Sequence, residues 1–165
     1  MAGISFGSIS VAKVSAGSAE IQNVSVGDTL VWQSTSFAPS GMTKSGTQTF
    51  TSAGAWMLVT GWSADTTNYP GSTVVSNGLD VQGAKGAATV SVSLPYTGSF
   101  TNAHTARILK NGTVVATGTP VSTANGTMTA SWSGAVVDTD VFTVEAKLDT
   151  YANGSVSAGG YIRIT

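Results

Sequence analysis

The chain has 165 residues, which is enough for one or two small domains. Only 9% of the residues are charged and the formal net charge is -1, so the sequence offers no basic surface for nucleic acid. It contains no cysteine and no run of 18 apolar residues, which excludes disulfides, thiolate chemistry and a membrane-spanning helix.

A ten-residue repeat occupies the first part of the chain. Its copies, at residues 4–8, 14–18 and 24–28, begin with a β-branched residue and end in Gly-Ser or Gly-Asp. Each copy predicts a strand followed by a tight turn, and together they predict a small β-meander over residues 1–33. Because so small a unit buries little surface, we expect it to dock on the rest of the chain or on another protein.

The next segment, residues 34–49, is polar and contains Pro39, Gly41 and Gly46. This composition predicts a linker. From Phe50 to the end, apolar and polar residues alternate repeatedly, as in Val90, Val92 and Leu94 with a serine between each pair. Such alternation indicates strands with one face on a core, and no stretch has a convincing period of 3.6 residues.

Turn residues divide the segment 50–165 at regular intervals. The pair Asn111-Gly112, for example, predicts a type I′ hairpin between residues 107–110 and 113–116. About eight strands over this segment are typical of an antiparallel β-sandwich, and a jelly roll is the arrangement we favour. The predicted fold class is therefore all-β, with an N-terminal meander, a linker and a jelly-roll-like sandwich.

Residues that could carry chemistry are few. The single histidine, His104, lies in a turn-like stretch and is expected to be a solvent-exposed loop residue; the alternative is a catalytic base, but no nucleophile or carboxylate is near it in sequence. Asp138, Asp140 and Asp149 could form a hard-cation site, but a turn before the strand that begins at Val141 explains Asp138 and Asp140 equally well. A nucleophile elbow and a phosphate loop are absent. We therefore expect a protein that is not an enzyme and has no catalytic, cofactor-binding or metal-binding residue.

Aromatic residues suggest a second kind of site. Trp62, Tyr69 and Tyr151, with Trp132 as a further member, could form a platform on which sugar rings stack. The alternative is that Trp56 and Trp132 fill the core of the sandwich while Trp62 and Tyr69 lie under a loop. The residues predicted to contact a glycan are Trp62, Tyr69 and Tyr151.

Two parts of the chain resemble known proteins. Residues 17–32 (GSAEIQNVSVGDTLVW) resemble a segment that recurs in virion proteins of tailed phages infecting actinobacteria. Residues 69–75 (YPGSTVV), 77–79 (NGL), 106–112 (ARILKNG) and 144–146 (VEA) resemble the minor tail and decoration proteins of the same phages. This second part is also similar to the trimeric jelly rolls of the tumour-necrosis-factor and C1q group.

The resemblance implies a function in the virion. It implies a non-enzymatic minor tail or capsid decoration protein, displayed on the particle surface as a homotrimer and assembled in the cytoplasm of the bacterial host. Its partners would be further copies of itself and, through the N-terminal segment, other virion proteins, but neither nucleic acid nor membrane. The alternative function is a carbohydrate-binding adhesin that contacts a glycan on the host surface.

Overall fold

A computed structural model describes residues 36–165 and, before them, only the strands of the first unit. The chain divides into two compact units, Met1–Ser36 and Phe37–Thr165. In the first unit the described strands form two separate antiparallel pairs, β1 with β2 and β3 with β4, where the sequence predicts one continuous meander. The first copy of the repeat, residues 4–8, lies outside the described residues. The four strands are β1 (Val14–Ala16), β2 (Ala19–Ile21), β3 (Asn23–Val26) and β4 (Thr29–Gln33).

The second unit is a set of strands without a helix. The strands are β5 (Ser40–Lys44), β6 (Gln48–Thr49), β7 (Met57–Leu58), β8 (Trp62–Ala64), β9 (Val74–Val75), β10 (Gly78–Asp80), β11 (Lys85–Thr97), β12 (Asn102–Lys110), β13 (Thr113–Thr117), β14 (Val121–Thr123), β15 (Gly126–Val136), β16 (Val141–Leu148), β17 (Ser155–Val156) and β18 (Tyr161–Ile164). Nothing in the described part of the chain is a helix long and apolar enough to cross a membrane.

The strands of this unit form two sheets in which every pairing is antiparallel. In sheet 1 the order is β13-β12-β16-β10-β9, with β14 also paired to β12 and β7 to β16. In sheet 2 the long strand β11 has β15 on one side and both β17 and β18 on the other. Strand β6 pairs with β17, β5 pairs with β18, and β8 pairs with β5 at the edge. The predicted antiparallel β-sandwich is confirmed.

The core lies between the two sheets. Along β16, buried and partly exposed residues alternate over the whole strand, so that Phe142, Val144, Ala146 and Leu148 all point inward. The inward residues of β11, among them Val90, come from the other sheet. Alternation along each strand thus divides the side chains between the core and the two outer faces.

The segment predicted as a linker is part of the sandwich. Strand β5 pairs with β18, placing the fully buried Met42 opposite Ile162. The linker prediction for residues 34–49 is therefore wrong over β5 and β6. Its cause is the composition of β5, in which the polar residues Ser40 and Lys44 are buried together with Gly41, so the strand shows no apolar alternation.

Candidate functional site

His104 does not lie in an exposed loop. It belongs to β12 and is fully buried, with its ring stacked on that of Tyr96 at 3.9 Å between centroids and 5.9 Å from the ring of Phe50. Its Nδ1 lies 2.9 Å from the carbonyl oxygen of Asn102, and its Nε2 has no hydrogen-bond partner among the described residues. The polar residues on both sides of His104 suggested a turn, but Asn102 and Thr105 are also buried residues of the strand.

Burial makes His104 an acid-sensitive part of the core. Burial lowers the pKa of His104 below its ordinary value of 6.5, although the backbone of Asn102 and Val121 and the charge of Asp149 oppose this. The unfolded chain therefore binds a proton more readily than the folded chain. The stability contributed by neutral His104 is complete above pH 6.5 and is lost as the pH falls below that value.

The substitution His104→Phe is expected to flatten this pH dependence, because phenylalanine keeps the stacking on Tyr96 but cannot bind a proton. Urea unfolding of both proteins from pH 7.5 to pH 5 measures the effect. The free energy of unfolding should fall with pH in the unmodified protein and stay nearly level in the variant. Parallel pH profiles would show that His104 is not the group responsible.

The three aspartates considered as cation ligands lie apart. Asp140, in the turn before β16, is 2.8 Å from the Nζ of Lys110. Asp138 accepts a hydrogen bond from the backbone of Gly83 at 2.7 Å, and Asp149 lies after the other end of β16. Over residues 36–165 no three His, Cys, Asp or Glu side chains are grouped as metal ligands. The turn before β16 accounts for the positions of Asp138 and Asp140.

Lys44 is a further buried titratable group. Its Nζ donates a hydrogen bond to the carbonyl oxygen of Thr60 at 2.9 Å, and burial lowers its pKa. The hydrogen-bond partners of Lys44, His104 and Asp140 have no residue in common. The contacts of the described residues therefore do not bring Lys44, His104 and Asp140 together in one cleft.

Trp62 is a core residue. Only 9% of it is exposed, and its indole Nε1 donates to the carbonyl oxygen of Val59 at 2.8 Å. This burial leaves little of the Trp62 side chain accessible, contrary to the prediction that it contacts a glycan. Trp132 is partly buried, and its ring packs 5.4 Å from that of Phe142 at the margin of the core.

Trp56 lies on the outer face of sheet 1 and not in the core, contrary to one of our expectations. The guanidinium of Arg107 is 4.1 Å from its ring centroid and the Nζ of Lys147 is 5.4 Å away. Arg107 also donates to Glu145 at 2.6 Å, and the neighbouring Thr105 is buried. Cation–π contacts and ion pairs of the chain itself thus occupy this face.

The remaining two predicted glycan contacts are accessible but lie on different elements. Tyr69, in the β8–β9 connection, is half-buried and packs over Gly41 on the outer face of sheet 2. Tyr151, in the β16–β17 connection, is 72% exposed and stands 6.5 Å from the ring of Phe100, itself 61% exposed. The three predicted residues therefore do not form one platform. The partner of Tyr151 is Phe100, which the sequence did not single out.

The outer face of sheet 2 carries hydroxyl groups almost exclusively, and we call it the hydroxyl face. Neighbouring strands place Thr89 opposite Ser133, and Ser91 opposite Ser131. Along the same strands the alternate residues are buried, so these hydroxyl side chains point away from the core. The face is defined by Thr89, Ser91 and Ser93 of β11, Thr129, Ser131 and Ser133 of β15, and Tyr161 and Arg163 of β18.

Arg163 is the one charged residue of the hydroxyl face. Its guanidinium lies 4.0 Å from the ring centroid of Tyr161 and 5.9 Å from that of Tyr69. Beside Tyr161 a depression of about 420 Å³ opens on this face, lined by hydroxyl residues of β11 and β15 and by residues 117–119. The hydroxyl face is thus neutral, apart from one cation that lies against two aromatic rings.

The arrangement of the two sheets has a counterpart among solved structures. The structure of Eiger TNF from S. frugiperda superposes with a TM-score of 0.53, covering 78% of this chain and 90% of that one at 14% sequence identity. The sandwich is a jelly roll like that of a tumour necrosis factor. The predicted jelly roll is thus confirmed, whereas the relation to phage virion proteins stays a prediction. No protein-family model matches the chain, and a search of curated proteins gives no match either.

Two accessible surfaces of this jelly roll are candidates for binding. The hydroxyl face covers one side of the sandwich, and the Phe100–Tyr151 pair lies in connections at one end of it. The alternating hydroxyl residues of β11 and β15 were visible in the sequence, but nothing in the sequence showed that Thr89, Thr129, Ser131 and Ser133 are exposed. Phe100 gave no signal, since a single aromatic after Gly98 and Ser99 is more often packed than exposed.

Proposed function

We propose that the chain is a non-enzymatic structural component of a tailed-phage virion, a minor tail protein or a capsid decoration protein, displayed on the particle as a homotrimer. The resemblance of residues 17–32 to phage virion proteins supports the virion part. The jelly roll supports the trimer, because the similarity to the tumour-necrosis-factor and C1q group implies that state. The observation that carries the proposal is the hydroxyl face.

The two outer faces of the sandwich differ in the way an interface would require. Sheet 1 carries Trp56 and the Arg107–Glu145 ion pair on its outer side. The hydroxyl face has small neutral side chains, which let another subunit approach closely and require little desolvation of charge. Its depression offers a place for a side chain of the next copy. We therefore place the contact between subunits on the hydroxyl face.

The first unit supports attachment to the particle. Its described strands form two pairs of short strands, and a two-stranded pair is at best marginally stable without a surface to pack on. Other virion proteins would supply that surface during assembly in the bacterial cytoplasm. The anchoring function therefore belongs to residues 1–33, while the jelly roll is the displayed part.

The substitution Ser131→Glu tests the assembly. A carboxylate at this position would have to be buried in every contact between subunits, which costs several kcal/mol unless a cation neutralises it. Sedimentation equilibrium should show a trimer for the unmodified protein, and the variant should need a concentration at least about 100-fold higher to assemble. The matched variant Ser52→Glu changes an exposed serine in the β6–β7 connection and should remain trimeric.

Two results would contradict the proposal. If the unmodified protein is strictly monomeric at micromolar concentration, the proposed trimer is wrong. If Ser131→Glu assembles as well as the unmodified protein, the hydroxyl face is not the interface of the trimer. Immunogold labelling of purified particles tests the virion function separately, because unlabelled particles would leave the trimer intact and exclude the display.

A further inference from the structure

Three connections meet at the end of the jelly roll where β11 ends and β12 begins. They are residues 98–101, 124–125 and 149–154, and we call them the loop cluster. The backbone of Gly98 donates to the Oδ1 of Asn125 at 3.3 Å. Gly154 has a φ of +118°, and a Cβ there would lie 2.5 Å from the carbonyl oxygen of Thr97. Only glycine fits this close approach, so the connections are held against one another.

The loop cluster exposes two aromatic rings side by side. Phe100 and Tyr151 stand 6.5 Å apart at 60°, which leaves ring surface of both open to solvent. Exposing apolar rings forgoes the favourable free energy of burying them. The other large apolar side chains that residues 36–165 expose are aliphatic, and none is aromatic; they are Leu58, Val75, Val114 and Val137.

Asn102 fixes the chain that carries Tyr151. Its Oδ1 accepts hydrogen bonds from the backbone N–H and the hydroxyl of Thr150, at 3.0 and 2.8 Å, and its Nδ2 donates to the carbonyl oxygen of Tyr151 at 3.4 Å. Asn102 is only 4% exposed and belongs to β12, whose next inward residue is His104. The ring of Tyr151 is thus presented from a backbone tied to the sandwich, which reduces the entropy lost on binding.

The surroundings of the two rings are polar and neutral. Ser99, Thr101 and Asn125 are exposed, and the nearby carboxylate of Asp149 is paired with Lys147 at 2.7 Å. Two rings among hydroxyl and amide groups are too small an apolar patch for a stable protein interface, which buries about 800 Å² on each partner. A pyranose ring fits better, since it has an apolar C–H face and a rim of hydroxyl groups.

We propose that the loop cluster binds a neutral hexopyranose unit of a polysaccharide. The sugar ring packs in the angle between Phe100 and Tyr151, and its hydroxyl groups exchange hydrogen bonds with Ser99, Thr101 and Asn125. The site lies away from the hydroxyl face, so assembly into a trimer leaves it accessible. It therefore adds a binding activity to the displayed jelly roll and does not depend on the trimer.

Binding to immobilised mannan, galactan and β-glucan tests the site, with polygalacturonate as the charged control. The unmodified full chain should bind at least one of the three neutral polysaccharides and bind polygalacturonate less. Tyr151→Ala and Phe100→Ala should each weaken binding by at least about threefold, and Tyr151→Phe should stay within about twofold. Val137→Ala, which shortens an exposed side chain in the β15–β16 connection, should bind as the unmodified chain does.

Asn102 is a positioning residue in this proposal. Asn102→Ala should weaken binding and accelerate amide hydrogen exchange in residues 149–154, because the hydrogen bonds to Thr150 are lost. Asn102→Asp keeps the Oδ1 acceptor for both donors of Thr150, loses only the donation to Tyr151, and should restore most of the binding. If Asn102→Asp binds as weakly as Asn102→Ala while the jelly roll remains folded, Asn102 does not act through this acceptor.

Three outcomes would overturn the proposal. These are a lack of binding to all three neutral polysaccharides, binding that Tyr151→Ala and Phe100→Ala leave unchanged, and preferential binding to polygalacturonate. Sedimentation of the same samples separates this test from that of the trimer. Tyr151→Ala that fails to assemble would identify the loop cluster as a protein interface, whereas a monomeric unmodified chain that still binds sugar would contradict only the proposed trimer.

Discussion

Replacing Phe142 by alanine is expected to lower the free energy of unfolding by about 3–5 kcal/mol. The side chain is fully buried on β16, where its ring packs 5.4 Å from that of Trp132. Removing the ring forfeits its transfer from water and leaves a cavity between two sheets whose strands are fixed by hydrogen bonds on both sides of β16. So large a loss is a substantial fraction of the stability of an ordinary domain.

Phe100→Ala is the matched control, because it removes the same ring from an exposed position. Its free energy of unfolding should remain within about 0.5 kcal/mol of the unmodified value. Urea unfolding at one fixed protein concentration measures both variants, since assembly makes the apparent stability depend on concentration. Similar losses for the two variants would mean that Phe100 is packed and not exposed.

The core around Phe142 was predictable from the sequence. Alternation along residues 142–148 and 90–94 shows which side chains point inward, because each strand has one face on the core. The pairing of strands distant in the chain was not predictable. It depends on which sheet edges meet in three dimensions, and β5 joins β18 across more than a hundred residues without an apolar pattern of its own.

The tryptophans show why the candidate sites were harder to predict than the fold. Trp56 and Trp62 lie six residues apart, yet Trp62 is in the core, while Trp56 packs against the cationic side chains of Arg107 and Lys147 on the outer face of sheet 1. The two positions differ in what packs against them: Trp56 contacts Arg107 of β12 and Lys147 of β16, whereas Trp62 belongs to β8, which pairs with β5 in the other sheet. Tyr151, predicted as a glycan contact, is exposed, but its partner Phe100 lies in a connection about fifty positions away.

The two proposals assign assembly to the hydroxyl face and recognition to the loop cluster, which are separate parts of one fold. Assembly would use the flat outer side of a sheet, where small neutral side chains allow close contact. Recognition would use connections between strands, where two rings can be exposed without disturbing the core. Because the backbone of Tyr151 is tied to β12 through Asn102, substitutions on the hydroxyl face should leave sugar binding unchanged.

Asp140 stabilises the turn between β15 and β16, at the end of the sandwich opposite the loop cluster. Its carboxylate accepts hydrogen bonds from the backbone of Val137 at 2.8 Å and from the Nδ2 of Asn111 at 2.7 Å, and it pairs with Lys110 at 2.8 Å. Burial alone would raise the pKa of Asp140, but these three donors outweigh it and hold the pKa below the ordinary value of 3.8. The charged form is therefore the one that stabilises the fold.

Asp140→Ala is expected to lower the free energy of unfolding by about 3 kcal/mol at pH 7, because it leaves a partly buried ammonium and two donors without their acceptor. Asp149→Ala removes the acid of the more exposed Lys147 pair and should cost less than about 1 kcal/mol. Since the folded pKa is depressed, the contribution of Asp140 is complete above pH 3.8 and is lost as the pH falls below it. The difference between Asp140→Ala and the unmodified protein should therefore shrink in urea unfolding below pH 3.8. A difference that is unchanged by acid would mean that the protonated carboxyl holds the turn equally well.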